Sequence, residues 1–139
     1  MPRLLKGGGL TQETQQAPLI GISNHDPVLV RLLDQVVAQR GFRSMILPAG
    51  STAYEVIKRQ KPDLILLDVG VAPEDSWVLF QILRLDEETI SIPVLIASSD
   101  PTRFEKTALG LEHHSGVEVI DKPYDTEMLY DKITALLSR

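Results

Sequence analysis

The sequence predicts an α/β fold, a doubly wound five-stranded parallel sheet of strand order 2-1-3-4-5 with helices on both faces. Three observations support this prediction. Short apolar runs alternate along the chain with segments whose apolar residues recur at helical spacing. The third run, Leu64–Leu67, is continuously apolar, which is typical of a strand buried on both faces. Asp-Pro pairs at 26–27 and 100–101 follow the first and fourth runs, where Asp can cap a helix that Pro begins.

The strands are predicted from apolar runs that end near turn residues. In chain order they are Leu19–Ser23, Arg43–Leu47, Asp63–Leu67, Pro93–Ala97 and Val117–Ile120. Parallel strands need crossover connections, which are right-handed and place helices over both faces of the sheet. We therefore expect functional groups in the crevice at the carboxyl ends of the first and third strands, where the strand order reverses.

The helices are predicted from apolar residues at three- and four-residue spacing. They begin at Asp26-Pro27, Thr52, Asp75, Asp100-Pro101 and Asp125. The first helix has an apolar face of Val28, Leu29, Leu32, Leu33, Val36 and Val37 and ends at Gly41, which suits the left-handed position beyond a helix. The second and third helices end near Arg59 and Leu85. The fourth has the stripe Phe104, Ala108 and Leu111, and the last ends near Leu137 on Met128, Leu129, Ile133, Leu136 and Leu137.

The composition is that of one globular domain. The 139 residues are 43% hydrophobic and 24% charged, and the chain is long enough to bury a core. Residues 1–17 are predicted to be a flexible tail, in which Arg3–Lys6 is an alternative docking segment, and residues 18–139 form the domain. The absence of cysteine excludes disulfides and thiolate metal sites. A net charge of −5 argues against direct nucleic-acid binding, and no stretch is apolar enough for a membrane span, so we expect a cytoplasmic protein.

Three reactive side chains follow three consecutive strands: Asp68, Ser98 and Lys122. Because the carboxyl ends of parallel strands share one edge of a sheet, a carboxylate, a hydroxyl and an ammonium are brought together there. This set suits phosphoryl chemistry. In the structural alternative, Asp68 and Lys122 are only a buried ion pair and Ser98 caps a helix. Burying two charges has a high desolvation cost, so stability alone explains such a pair poorly.

The chain resembles the response-regulator receiver family, also called CheY-like, over residues 18–138. Four motifs support the resemblance: Asp26-Pro27, Pro62–Asp68, Pro93–Ser98 and Asp121–Tyr124. It implies a flavodoxin-like fold in which Asp68 is the phosphoacceptor, Ser98 the switch hydroxyl and Lys122 the phosphate-pairing lysine. It also implies a cis Lys122–Pro123 bond and a signalling face made of the fourth helix, the fifth strand and the last helix.

The resemblance implies partners as well. A histidine kinase or phosphotransfer protein would supply the phosphoryl group, and a downstream effector protein or domain would read the phosphorylated state. A second copy of the chain is a further candidate partner. No enzymatic activity is expected beyond the phosphorylation and dephosphorylation of Asp68 itself.

The expected metal pocket departs from the family, which usually has two acids after the first strand to hold Mg²⁺. Asn24 and His25 stand there instead. Asn24 offers a neutral carbonyl oxygen, whereas His25 offers a nitrogen better suited to Zn²⁺, Ni²⁺ or Cu²⁺, or is simply a loop histidine that titrates near neutrality. Asp26 is engaged as a helix cap. Together with Asp68 and the backbone carbonyl of Gly70 they form a degenerate site, whose Mg²⁺ affinity we expect to be strongly reduced.

Two other functional classes remain open. Asn24, His25 and Val119, which stands where the family often has an aromatic switch residue, favour a pseudo-receiver that binds a partner without phosphorylation. A flavodoxin-type cofactor binder fits less well, because the loop after the first strand lacks a glycine-rich phosphate cradle. A dehalogenase-like phosphatase would need a second Asp where Gly70 stands.

Overall fold

The computed structural model describes residues 17–24, 26–48, 51–69, 73–98 and 116–138. Most of the predicted tail, residues 1–16, lies outside the described residues. So does the predicted fourth helix with its stripe at Phe104, Ala108 and Leu111.

The described ranges contain five strands and four helices. The strands are β1 (Leu19–Ser23), β2 (Arg43–Ile46), β3 (Leu64–Asp68), β4 (Val94–Ser98) and β5 (Val117–Asp121). The helices are α1 (Pro27–Gln39), α2 (Ser51–Gln60), α3 (Pro73–Leu85) and α4 (Thr126–Leu137). The predicted boundaries agree to within about two residues, the usual uncertainty at element ends. The small shifts place Asp68 and Ser98 inside β3 and β4, as the last residue of each strand.

All five strands are parallel, in the order β2-β1-β3-β4-β5, which confirms the predicted order 2-1-3-4-5. The register aligns the carboxyl ends of the three inner strands. Ser23 in β1 pairs with Leu67 in β3, and Asp68 pairs with Ala97 in β4. The strand ends therefore form one continuous edge with Asp68 at its centre.

Strand β3 is buried along its whole length because helices cover both faces of the sheet. Leu64 and Leu66 pack into a core cluster with residues of α1 and α4. Ile65 and Leu67 point the other way, into a cluster with residues of α2 and α3. This two-residue alternation explains why the sequence of β3 is continuously apolar up to Asp68.

Two helix starts follow the predicted local chemistry. The Asp26 carboxylate accepts a hydrogen bond of 3.0 Å from the backbone N–H of Val28, and Pro27 is the first residue of α1. The Asp125 carboxylate accepts one of 2.8 Å from the backbone N–H of Met128 at the start of α4. At the other end of α1, Gly41 has a φ of +90°, so it takes the predicted left-handed position.

The apolar stripe of α1 is wider than the part of it that is buried. Leu33 and Val37 are buried, but Val28 is 63% and Leu32 53% exposed. Met128, predicted on the inner stripe of α4, is 45% exposed. Spacing alone identifies the apolar side of a helix, whereas its neighbours decide how much of that side they cover. None of the described helices combines the length and apolarity that a membrane crossing requires.

Candidate functional site

Asp68 is held firmly at the centre of the reactive edge. Its residue surface is only 6% exposed. Its backbone carbonyl accepts a hydrogen bond of 3.2 Å from the hydroxyl of Ser76 in α3. The next residue, Val69, donates its backbone N–H to the carbonyl of Ala97 at 2.9 Å. Contacts from a helix and from the neighbouring strand thus fix the backbone from which the carboxylate projects.

Lys122, which directly follows β5, reaches the same carboxylate. Its ammonium forms an ion pair with Oδ1 of Asp68 and a long hydrogen bond of 3.4 Å with the carbonyl of Val69. Oδ1 is buried and accepts no directed hydrogen bond from any described residue, so the Lys122 ammonium is its ionic partner. The Lys122–Pro123 bond is cis, as the family resemblance implied.

Ser98 is the last residue of β4, the strand between those that position Asp68 and Lys122. It is 3% exposed, and its carbonyl accepts a hydrogen bond of 2.9 Å from the backbone N–H of Lys122. Since Ala97 pairs with Asp68, Ser98 stands one residue beyond that pair on the neighbouring strand. The predicted carboxylate and ammonium are therefore in contact, and the predicted hydroxyl residue lies beside them at the same edge.

The loop after β1 uses its polar groups locally. The side-chain carbonyl oxygen of Asn24 accepts a hydrogen bond of 2.7 Å from the backbone N–H of Asp26. Only the oxygen of an amide can accept, so this bond also fixes the direction of the amide nitrogen. That nitrogen, Nδ2, is buried and has no hydrogen-bond partner among the described residues. Asp26 itself is exposed and caps α1.

The described groups offer an incomplete ligand set for a magnesium ion. Mg²⁺ requires oxygen ligands in near-octahedral geometry. Among the described residues no group of three or more His, Asp or Glu side chains could hold a metal. The oxygen of Asn24 is engaged by Asp26, and the carboxylate of Asp68 is balanced by Lys122. The two further predicted ligands, His25 and Gly70, lie outside the described residues.

Tyr124 responds to the charge at this site. Burial, followed by the negative charge of Asp68, raises the pKa of Tyr124 to about 12. Its ring packs against the core cluster shared by α1 and α4. The motif Asp121–Tyr124 contains Tyr124 but does not predict the effect of Asp68 on it, and Ser76 belongs to none of the motifs. The position of Tyr124, two residues after Lys122, was the available signal, whereas nothing in the sequence marks Ser76.

No family model matches the chain, but curated proteins and solved structures are similar to it. Over 115 residues the chain is 32% identical to the transcriptional regulatory protein CseB of Streptomyces avermitilis, covering 82% of this chain and 47% of that protein. Over 119 residues it is 29% identical to the DNA-binding response regulator MtrA of Mycolicibacterium smegmatis, covering 85% and 50%. The chain spans about half the length of these curated relatives.

Solved structures give the same picture over nearly whole chains. The signal receiver domain of a signal transduction histidine kinase from Syntrophus aciditrophicus has a TM-score of 0.73 and 26% identity, covering 88% of this chain and 91% of that one. The receiver domain of the sensor histidine kinase PA1611 from Pseudomonas aeruginosa, with a magnesium ion in its active-site cleft, has a TM-score of 0.75. At 16% identity over 88% of this chain and 99% of that one, it shows a shared fold alone.

Proposed function

The chain belongs to the response-regulator family as a receiver domain, and from this premise we propose that it acts in two-component signalling by accepting a phosphoryl group on Asp68. One observation carries the proposal. The buried Asp68 carboxylate is paired with the Lys122 ammonium at the carboxyl edge of the sheet. An acid at this position meets the nucleophile requirement of the reaction, and a cation in contact with it meets the charge requirement.

In the proposed reaction, an oxygen of the Asp68 carboxylate forms a new bond to phosphorus. The bond from phosphorus to the donor breaks, and the donor leaves with that electron pair. The product is an acyl phosphate on Asp68. For such a transfer the protein chiefly positions the reacting groups and offsets negative charge. Ser76 and Ala97 hold the backbone around Asp68, and Lys122 supplies the positive charge.

Ser98 is proposed as the residue that reports the phosphorylated state. A hydroxyl there can donate a hydrogen bond to a phosphoryl oxygen and draw the end of β4 inward. The carbonyl of Ser98 is bonded to the backbone N–H of Lys122, directly after β5. A shift of Ser98 would thus reach β5 and α4. We propose that these two elements form the signalling face together with the helix predicted to begin at Asp100-Pro101.

The proposed partners follow from this role. A histidine kinase or phosphotransfer protein would be the donor, and an effector protein or a second copy of the chain would read the phosphorylated state. We propose that the chain acts as a phosphoacceptor, not as an enzyme with a separate substrate. We propose that this chain does not contact DNA directly, because its net charge is −5 and the relative named as DNA-binding is about twice the length matched.

In the family-type pocket Mg²⁺ offsets charge on the phosphoryl oxygens. The described residues offer an incomplete ligand set for that ion, and the positive charge that they do supply comes from Lys122.

Intact-mass spectrometry after treatment with acetyl phosphate tests the proposal. The protein should gain one phosphoryl group, and Asp68→Asn should gain none while circular dichroism shows an unchanged fold. Lys122→Met, which keeps the aliphatic stem, should still fold but react more slowly. Failure of the folded protein to react with acetyl phosphate and with phosphoramidate would contradict phosphoacceptance. That result would instead favour the pseudo-receiver that binds its partner without phosphorylation.

A further inference from the structure

Two buried polar atoms at the reactive edge lack a hydrogen-bond partner among the described residues, Nδ2 of Asn24 and Oδ1 of Asp68. One is a donor and the other is an acceptor that meets only the Lys122 ammonium. Ser23 in β1 pairs with Leu67 in β3, and Asn24 and Asp68 are the residues that follow this pair. Asn24 therefore stands beside Asp68 at the ends of adjacent strands.

The direction of the Asn24 amide is fixed within its own loop. Its oxygen is bonded to the backbone N–H of Asp26 at 2.7 Å, so the NH₂ group must face away from that bond. A buried N–H without an acceptor destabilises a fold, and a role in binding or catalysis is one of the explanations for such a group in a native protein. The amide thus offers two N–H donors where the family places acids.

The charges at this edge favour an anion. Lys122 supplies an ammonium, Asn24 supplies amide donors, and Asp68 is the one buried carboxylate that the described residues place there, since Asp26 and Asp121 are exposed. A divalent cation would face an ammonium and N–H groups, whose positive ends repel it. A phosphoryl group, with its negative oxygens, would be attracted to both.

We propose that Asn24 is a phosphoryl-binding residue. Its Nδ2 amide donates a hydrogen bond to an oxygen of the phosphoryl group carried by Asp68, and Asn24 and Lys122 together take the place of the divalent cation. Phosphorylation of Asp68 then does not require Mg²⁺. This inference rests on the proposed function, since it assumes that Asp68 is the acceptor.

The step balances without a metal. With acetyl phosphate as donor, the bond from the Asp68 oxygen to phosphorus forms while the bond from phosphorus to acetate breaks. Acetate leaves as a carboxylate with the electron pair, and no proton is transferred. The Lys122 ammonium and the Asn24 amide stabilise the three negative oxygens through charge-assisted hydrogen bonds.

Asn24→Asp is a closely matched variant for the test. An aspartate oxygen can still accept the hydrogen bond from Asp26, so the turn before α1 is preserved. The variant exchanges the second polar atom from an N–H donor to a negative oxygen. It therefore removes the proposed phosphoryl contact and restores an acid of the kind that binds Mg²⁺.

The rate of acetyl phosphate labelling should be measured by intact mass in EDTA and in Mg²⁺. The wild-type protein should be labelled in EDTA, and Mg²⁺ should change its rate by less than about twofold, since the described residues offer no cluster of acids for a cation. Asn24→Asp should lose about tenfold in EDTA, the effect of one lost hydrogen bond to a charged group, and should recover with Mg²⁺. Titration calorimetry should show tighter Mg²⁺ binding to Asn24→Asp than to the wild type.

The outcomes separate this inference from the proposed function. Wild-type labelling that occurs only with Mg²⁺ would overturn the inference and leave phosphoacceptance standing, whereas no labelling under any condition would overturn both. Equal labelling of wild type and Asn24→Asp in EDTA would overturn the role of Asn24. A nitrogen-15 spectrum gives a second readout: the Asn24 side-chain NH₂ signal, identified by its loss in Asn24→Asp, should shift on phosphorylation in EDTA. An unchanged signal in the phosphorylated protein would also overturn the contact.

Discussion

Lys122 pairs with Asp68 across an intervening strand, because β4 lies between β3 and β5 in the sheet. The two partners differ in depth: the side chain of Asp68 is 7% exposed, whereas that of Lys122 is 23% exposed. A buried charge that loses its partner lowers the stability of the fold, because its desolvation is no longer offset. A charge whose side chain can reach water keeps most of its hydration and lowers stability less. The pair should therefore respond unequally to the loss of one partner or the other.

The free energy of unfolding should reveal this inequality. Lys122→Met removes the cation and leaves the buried carboxylate unpaired, so we expect a loss of about 3 kcal/mol at pH 7. Asp68→Asn leaves an ammonium that can reach solvent, and we expect a loss of about 1 kcal/mol or less. Urea unfolding of the two variants beside the wild type measures both values. Equal losses would show that the depths of the two charges do not decide the energetics.

Substitutions of Asp26 can distinguish a helix cap from a metal ligand. Its carboxylate accepts the backbone N–H of Val28 at 3.0 Å, and an amide oxygen can do the same. Asp26→Asn should therefore keep the stability of α1 and the labelling of Asp68, while Asp26→Ala should lose about 1 kcal/mol of stability. Urea unfolding and intact mass measure the two effects. A loss of labelling in Asp26→Asn would instead point to a charge needed at the site.

The parts of the fold that depend on short-range chemistry could be predicted from the sequence. The cap at Asp26 needs only its own residue and the next turn of helix. The placement of Asp68 needs only the run before it, because a wholly apolar strand must be inner and its carboxyl end must lie at the reactive edge. The positions of Ser98 and Lys122 at that edge could be predicted in the same way, from the strands that precede them.

The features that depend on distant contacts could not be predicted in this way. Spacing places Val28 and Leu32 on the apolar side of α1, but only the neighbouring elements decide that they stay exposed. Whether Asn24 turns its amide oxygen or its amide nitrogen away from Asp26 depends on the geometry of the loop. Residue type offers both possibilities, and the loop geometry selects one.

Tyr124 provides a reporter of the charge on Asp68. Burial is the larger cause of its raised pKa, and the Asp68 carboxylate adds to it. Asp68→Asn should therefore lower the pKa of Tyr124 from about 12, but not to the ordinary value of 10.0, because the ring stays buried. Absorbance titration of the phenolate measures this in a background with Tyr54→Phe and Tyr130→Phe. An unchanged pKa would mean that the two side chains are not electrostatically coupled.

The same raised pKa predicts how stability changes in alkali. The unfolded chain loses the Tyr124 proton near pH 10, whereas the folded protein holds it until about pH 12. The contribution of Tyr124 is thus fully present below pH 10 and is lost as pH rises through 12. Tyr124→Phe cannot ionise, so its unfolding free energy should fall less than that of the wild type over this interval.

Asp86 should make the opposite contribution in acid. The pKa of Asp86 is lowered from 3.8 to about 2. The largest cause is a hydrogen bond from the Tyr54 hydroxyl, followed by one of 2.9 Å from the backbone N–H of Glu88. The ammonium of Lys58, at 3.1 Å, lowers it further. A lowered pKa stabilises the fold above the unfolded value, so this contribution is full above about pH 4 and is lost as pH falls through 2. The difference in unfolding free energy between wild type and Asp86→Asn should therefore shrink from pH 5 to pH 2, and a difference that stays constant over this range would contradict the shift.

Tyr54→Phe tests the cause assigned to that shift. The Tyr54 hydroxyl is the largest influence on the pKa of Asp86, and Lys58 and the backbone of Glu88 are retained in the variant. The pKa of Asp86 should then rise towards 3.8 but stay below it, so the acid-dependent loss of stability should move to higher pH. Titration of the Asp86 carboxyl by carbon-13 NMR measures the pKa directly. A value unchanged from the wild type would transfer the cause to Lys58 and the Glu88 backbone, since no other described contact would remain to hold it down.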